Sequence, residues 1–464
     1  MKRVLALILV LGAVAISGAL AYRAAARDRS YRVLVASGEA AMAAGDTLAA
    51  VEDFSGAIAL RPDAMLAHLR RGETYRLRGD FDMAARDFRA AAQLDPTATR
   101  PLETLGDVLY EQERFKRAAE TYQERLKLDD RSAGIRYKLA LAHYRDGATS
   151  EALNDARSAR ALDDQLADAY YLEALCLRDL GQVDAAVAAL QAAVQRGPGL
   201  VPAREELADL FAVTGRYADQ IEQLQVIAGL DSRQPQRQVA IGLAQAEAGK
   251  LDLAVATLTA AAEQAGDQSA VNTALGRVWL QIAETRRDRT EALGKALEAL
   301  ERAASALNAT SETKALYGRA LALSGQADAA EQVFQQAIER FPVDATAYLE
   351  LADVAEQLGH APVARTALTS YVALTRSAQD AGGLAARIGR LAVKAGDAAG
   401  AISWFQKALD ERPDDVAVMT MLAEAQMATG TLSEARATVT RAQSLEPANA
   451  QIAVLDRRLR KAGA

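Results

Sequence analysis

Residues Met65 to Ala98, MLAHLRRGETYRLRGDFDMAARDFRAAAQLDPTA, form a thirty-four-residue phrase that recurs along almost the whole chain, and the recurrence restricts the chain to a repeat architecture. Counted from Met65, the phrase is marked by Gly72 in slot eight, Tyr75 in slot eleven, Gly79 in slot fifteen, Ala84 in slot twenty, Phe88 in slot twenty-four, Ala91 in slot twenty-seven and Pro96 in slot thirty-two. Small residues at slots eight and twenty let two helices approach closely, and larger side chains at slots eleven and twenty-four fill the space beside them. Gly79 ends the first helix because glycine takes the left-handed conformation a helix stop needs. Pro96 ends the second. One such hairpin cannot bury its apolar faces alone, so each unit depends on its neighbours.

Windows of this kind begin at Tyr31, Met65, Thr99, Ala133, Ala167, Val201, Pro235, Ser269, Ser311, Ala345, Gly382 and Val416, twelve in all. No residue larger than alanine occupies slot eight, and slot twenty is alanine everywhere except at Gln220. Six of the ten prolines fall in slot thirty-two, and the other four sit near helix starts. This pattern resembles the tetratricopeptide (TPR) repeat. The resemblance implies an all-α fold: a right-handed α-solenoid of about twelve TPR helical hairpins over residues 31–449, followed by a C-terminal capping helix at 450–464. Residues 1–30 form an N-terminal hydrophobic helix and a short connection. In the capping helix Ile452, Leu455 and Leu459 share one stripe, and Arg457 in slot eight prevents a further close approach.

Half the residues are hydrophobic but only 5% are aromatic, so the core is built mainly of alanine and leucine. The single cysteine, Cys176, excludes an intramolecular disulfide and any CxxC metal site, and reads as a small packing residue on a helix. Setting aside Lys2, Arg3, Arg23, Arg27, Arg29, Arg32 and Asp28 leaves 48 basic against 60 acidic residues, a balance of −12 after Arg32. An acidic solenoid without a basic face is a poor binder of nucleic acid, and none is expected as a partner.

Val4 to Tyr22 is nineteen residues without a charge, preceded by Lys2 and Arg3. At 1.5 Å per residue this is about 28 Å, close to the thickness of a bilayer core. We read it as a single uncleaved span in the cell envelope. The alternative is an export signal cleaved near Ala21, supported by Ala19-Leu20-Ala21, which would leave a periplasmic or secreted protein. Four arginines soon after the stretch favour the anchor, because positive charge beside a span resists translocation. The polar segment from Arg23 to Ser30 lacks Gly and Pro and is able to continue as helix into the first window. The eighth window is longer by eight residues, which predicts about one extra turn on each of its helices, with Arg286, Arg287 and Arg289 at the tip. The tenth window is longer by three near Gln379 to Ala381, a candidate hinge.

His68, His143 and His360 lie in three separate windows and cannot share a metal or a proton relay, and no HExxH, GxxxxGK[ST], GxSxG or strand-borne GxGxxG is present. No catalytic residue, cofactor or metal is therefore expected, and the chain reads as a non-enzyme.

The resemblance implies that the first helix of each hairpin lines the concave groove, where slots two, five, nine, twelve and thirteen share a face. Chaperone-binding members of that family place a basic residue at slot five; here slot five holds no Lys or Arg in any window. By slot, Tyr110, Tyr137, Tyr144 and Tyr171 face the groove, with Leu141, Leu175, Arg145 and Arg178 beside them, and this cluster is the first candidate partner site. Arg387, Arg390 and Lys394 form the second candidate, with Glu350, Asp353 and Glu356 of the preceding window placed to pair with them. The expected function is a non-catalytic scaffold of the bacterial cell envelope that holds a peptide or helix of a partner protein. The alternatives are an accessory subunit organising synthesis or export of an envelope polymer, and a membrane-tethered regulatory adaptor.

Overall fold

The structure, a computed structural model, describes residues 2–230, 235–264, 269–285, 289–375 and 381–463; within the first helix the side chains of residues 2–10 and 12–15 lie outside the description. Among the described residues the chain forms 25 helices. Helix starts follow the sequence frame: first helices open at Met65, Thr99, Ala133, Ala167, Val201, Pro235, Ser269, Ser311, Ala345 and Val416, each at slot one. The eleventh opens one residue early, at Ala381. Each first helix packs antiparallel-hairpin fashion on the second of its window in all cases where both lie in one compact unit.

All eleven slot-twenty alanines, from Ala50 to Ala435, are 0% exposed, which is why the slot admits nothing larger. Slot eight is explained by what lies over it. A Cβ added to Gly72 would sit 2.7 Å from the Phe88 ring, one on Gly106 2.5 Å from Tyr122, and one on Gly389 2.6 Å from Phe405. Gly38 and Gly318 meet Phe54 and Phe334 in the same way. Every slot-twenty-four aromatic thus lies on a glycine. Where slot eight is alanine the core partner shrinks, as with Ala140 and Ala156, Ala352 and Leu368, and Ala423 and Val439. Glycine also faces leucine, at Gly242 and Leu258 and at Gly276 and Leu300, so the rule runs one way: an aromatic at slot twenty-four requires glycine at slot eight.

Slot fifteen carries the helix stop. Ten glycines there, Gly45 to Gly430, have φ between 71° and 84°. In the third window the slot holds Glu113 at φ 58°, the one non-glycine with positive φ among the described residues. A side chain in this conformation costs about 1 kcal/mol relative to glycine, so Glu113→Gly is expected to raise the unfolding free energy by up to about that amount in chemical denaturation. An unchanged or lower value would show that the Glu113 side chain contributes something the backbone argument omits.

The chain divides into two compact units, residues 1–216 and 217–464. In the first unit, one helix runs without a break from Lys2 to Ala43, so the apolar stretch, the arginine-rich connection and the first window's opening helix are continuous. Among the described residues no helix is long and apolar enough to cross a membrane, and most side chains of Val4–Tyr22 are not among those described. Leu11, Ile16, Leu20 and Tyr22 are 60–77% exposed.

The division falls inside the sixth window, the one with Gln220 in slot twenty. Gln220 Oε1 is buried with no hydrogen-bond partner. An orphaned buried amide oxygen costs roughly 1–3 kcal/mol, so Gln220→Ala is expected to raise the melting temperature. A fall would reveal a partner for the amide.

In the second unit, the eighth window's first helix, Ser269–Thr285, has 17 residues against 13 in most windows, a gain of one turn, and its second helix, Arg289–Ala304, has 16 against 14. Arg289 opens that second helix and is exposed, whereas Arg286 and Arg287 lie outside the described residues. Ala381 opens a helix, and Gln379 and Asp380 of the candidate hinge also lie outside the description. In the last described helix, Ala450–Ala462, Ile452, Leu455 and Leu459 are buried and Arg457 is exposed.

Candidate functional site

Titratable groups inside the hairpins are satisfied locally. His68 bonds Asp87 at 3.1 Å, His143 bonds Asp155 at 2.8 Å and His360 bonds Glu331 at 2.9 Å, each histidine with its own carboxylate. Cys176 is fully buried, and burial pushes its thiol up to about 12, which suits packing and not reactivity.

The aromatic groove lies within the first unit, on the first helices of windows three to five, Thr99–Glu111, Ala133–Arg145 and Ala167–Asp179. Tyr110, Tyr137, Tyr144 and Tyr171 are all half-buried. Tyr137 and Leu141 line a cavity of about 380 Å³ together with Tyr110 and the hydroxyl-bearing ring of Tyr122. Tyr137, Leu141, Tyr144 and Tyr171 also pack on the apolar core beneath them. Burial raises the phenol pKa of all four groove tyrosines, to about 12 for Tyr137, where nearby Asp168 adds to the effect.

The hydroxyls divide the cluster. Tyr144 donates to Asp179 Oδ2 at 2.8 Å. Tyr110, Tyr137 and Tyr171 have no hydrogen-bond partner among the described residues, so each presents a rigid, partly desolvated ring with a free polar tip. The two arginines of the candidate set are engaged within the protein. Arg178 binds Glu206 Oε2 at 2.6 Å and Asp179, which leaves it a structural tie between windows five and six. Arg145 stacks over Phe115, 5.3 Å from the ring centroid, and Phe115 meets Tyr110 edge-on at 5.2 Å. Leu175 is half-buried. Phe115, in slot seventeen at the start of a second helix, belongs to the cluster although the groove slots do not include it.

The second candidate, within the second unit, separates in the same manner. Arg387 binds both Glu356 and Asp353, so the pairing expected between windows ten and eleven forms there. It does not extend to Arg390 and Lys394, which are exposed and have no ion pair among the described residues, and Glu350 turns instead to Arg319 at 3.7 Å. Arg390 and Lys394 instead line a pocket with Met421 and Glu424 of window twelve.

Burial raises the Glu350 carboxyl from 4.5 to about 7; Arg319 opposes this, and Asp353, Asp344 and Glu284 add to it. A carboxyl whose folded pKa is raised loses stability as pH climbs through the interval between the two values. Glu350→Gln is therefore expected to raise the melting temperature at pH 8 and to leave it unchanged near pH 4. An equal effect at both pH values would contradict the assignment.

Family models of the tetratricopeptide repeat match residues 35–99, 106–147, 149–201, 171–235, 318–381 and 392–458, together more than half of the chain. The chain is a tetratricopeptide-repeat protein. Its repeats build an all-α scaffold of paired hairpins. The sequence finds no match among curated proteins. Among solved structures, this TPR chain is similar to MamA at 24% identity over 36% of this chain and 92% of MamA, with a TM-score of 0.34. YrrB, described as a TPR protein with an unusual peptide-binding site, is 19% identical over 39% of this chain and 94% of its own, with a TM-score of 0.34. The Cut9–Hcn1 hetero-tetramer of APC/C aligns over 92% of this chain and 96% of its own at 14% identity and a TM-score of 0.34.

Proposed function

We propose that this TPR protein is a non-catalytic scaffold of the bacterial cell envelope, held at a membrane by its N-terminal apolar helix, and that the groove of windows three to five binds a segment of a partner protein. The observation that carries the binding site is the set of unpartnered hydroxyls on the half-buried rings of Tyr110, Tyr137 and Tyr171. Each ring offers apolar area at low entropic cost and a donor that a partner's backbone carbonyl can take. Leu141 and Leu175 supply the apolar floor between the rings, and Arg145 and Arg178 fix the walls. The anchor is supported by the unbroken helix from Lys2 to Ala43, which carries the charge-free stretch into the first hairpin without a flexible joint.

The test uses the full chain in its native membranes, with a photoreactive phenylalanine analogue at position 137 or, as a control, at exposed Arg89 on a second helix. The reading expects a discrete crosslinked protein from position 137 and none from position 89, in a membrane fraction that keeps the chain after an alkaline wash. Identical products at both positions, or release of the chain by the wash, would overturn the groove and the anchor respectively.

A further inference from the structure

Windows eleven and twelve hold a pocket of different chemistry, within the second unit. It is a cavity of about 260 Å³ whose walls include Val393, Phe405, Met421 and Ala425, with Arg390, Lys394 and Glu424 at its margin. Phe405 is fully buried and forms the base, while Val393, 47% exposed, and half-buried Met421 supply the accessible apolar wall. The volume lies below the roughly 300–1,000 Å³ of small-molecule sites and suits one large side chain.

Among the described residues, most other cations on the first helices are neutralised within the protein, and Arg145 is stacked on Phe115. Arg76 binds Glu111, Arg100 binds Glu73, Lys138 binds Glu103, and Arg277 binds Glu312. Arg319 binds Glu284 and Arg387 binds Glu356. Arg390 and Lys394 have neither an ion pair nor a stacked ring among the described residues, and in a chain of net charge −7 that is a departure from the rule. Two uncompensated cations beside an apolar cavity attract an anion and reward it only when an apolar group comes with it. A carboxylate alone would stay solvated, because exposed ion pairs contribute little.

We propose that this pocket takes an internal acidic segment of a partner protein, with one large aliphatic side chain against Val393 and Met421 and its flanking carboxylates on Arg390 and Lys394. The site is independent of the tyrosine groove. It lies at slots nine and thirteen, so it does not require a terminal carboxylate held at slot five.

The experiment labels the methionine methyl groups of the full chain with ¹³C, identifies Met421 by its loss in Met421→Ile, and titrates a doubly capped peptide containing Glu-Leu-Glu. The expected result is a saturable shift of the Met421 methyl. Binding weakens at least about tenfold for Gln-Leu-Gln and for Glu-Gly-Glu, and is lost in Arg390→Glu/Lys394→Glu at an unchanged melting temperature. The proposal fails if no saturable shift occurs, if the three peptides bind alike, if the double variant binds as before, or if inorganic phosphate alone reproduces the shift.

Discussion

Phe88→Ala is expected to cost about 3–5 kcal/mol of unfolding free energy, the largest single effect in the array, because it empties a fully buried ring site between two helices. The ring lies directly on Gly72, so the converse change, Gly72→Ala, is expected to cost about 1–3 kcal/mol by overpacking. The two errors have opposite sign in volume. Gly72→Ala/Phe88→Leu reproduces the alanine–leucine combination found at Ala352 and Leu368, and is expected to be more stable than the sum of its single variants by at least about 1 kcal/mol. Urea denaturation of the four proteins completes the cycle. Additive losses would show that slots eight and twenty-four do not share a volume, and that the close approach of the helices has another cause. Because each repeat contacts only its neighbours, hydrogen exchange should place the loosening in windows one to three.

The frame itself is legible in the sequence because each of its marks has one physical job. Alanine at slot twenty is fully buried against a neighbouring helix, glycine at slot fifteen turns the chain with positive φ, and proline at slot thirty-two stops the second helix. Helix starts consequently coincide with window starts across most of the chain. The volume exchange between slots eight and twenty-four is also written there, in the pairing of Gly38, Gly72, Gly106, Gly318 and Gly389 with aromatics, although it becomes evident only when the contacts are seen.

The groove is legible in part. Slot position places Tyr110, Tyr137, Tyr144 and Tyr171 on one face, and they do occupy half-buried positions there. It does not tell which polar tips are free, because that depends on partners about thirty residues away: Asp179 takes Tyr144, and Glu206 takes Arg178. Phe115 enters from a second helix, outside the slots that define the groove. In the same way, Arg387 is drawn to Asp353 and Glu356 while Arg390 and Lys394, one and two turns on, face a different hairpin. Charge alternation along a sequence indicates that pairs will form without indicating which members are left over.

Tyr137→Ala/Tyr171→Ala is expected to weaken binding of the captured partner by about thirtyfold per tyrosine that acts as an anchor, or roughly 2 kcal/mol each. The loss follows from removing ring area that is already half-buried and rigid in the free protein, so little entropy is spent on ordering it. Tyr144→Phe is the internal control. Its hydroxyl is committed to Asp179, and deleting it should leave partner affinity within about threefold, since it offers the partner no free donor. The most direct test of the scaffold reading is therefore the isotherm of the partner crosslinked from position 137, titrated into the wild-type chain and into Tyr137→Ala/Tyr171→Ala, with melting temperatures recorded for both. A dissociation constant at least about thirtyfold weaker, measured at a temperature where both chains remain folded, is the predicted result; equal affinities would contradict the assignment of the groove.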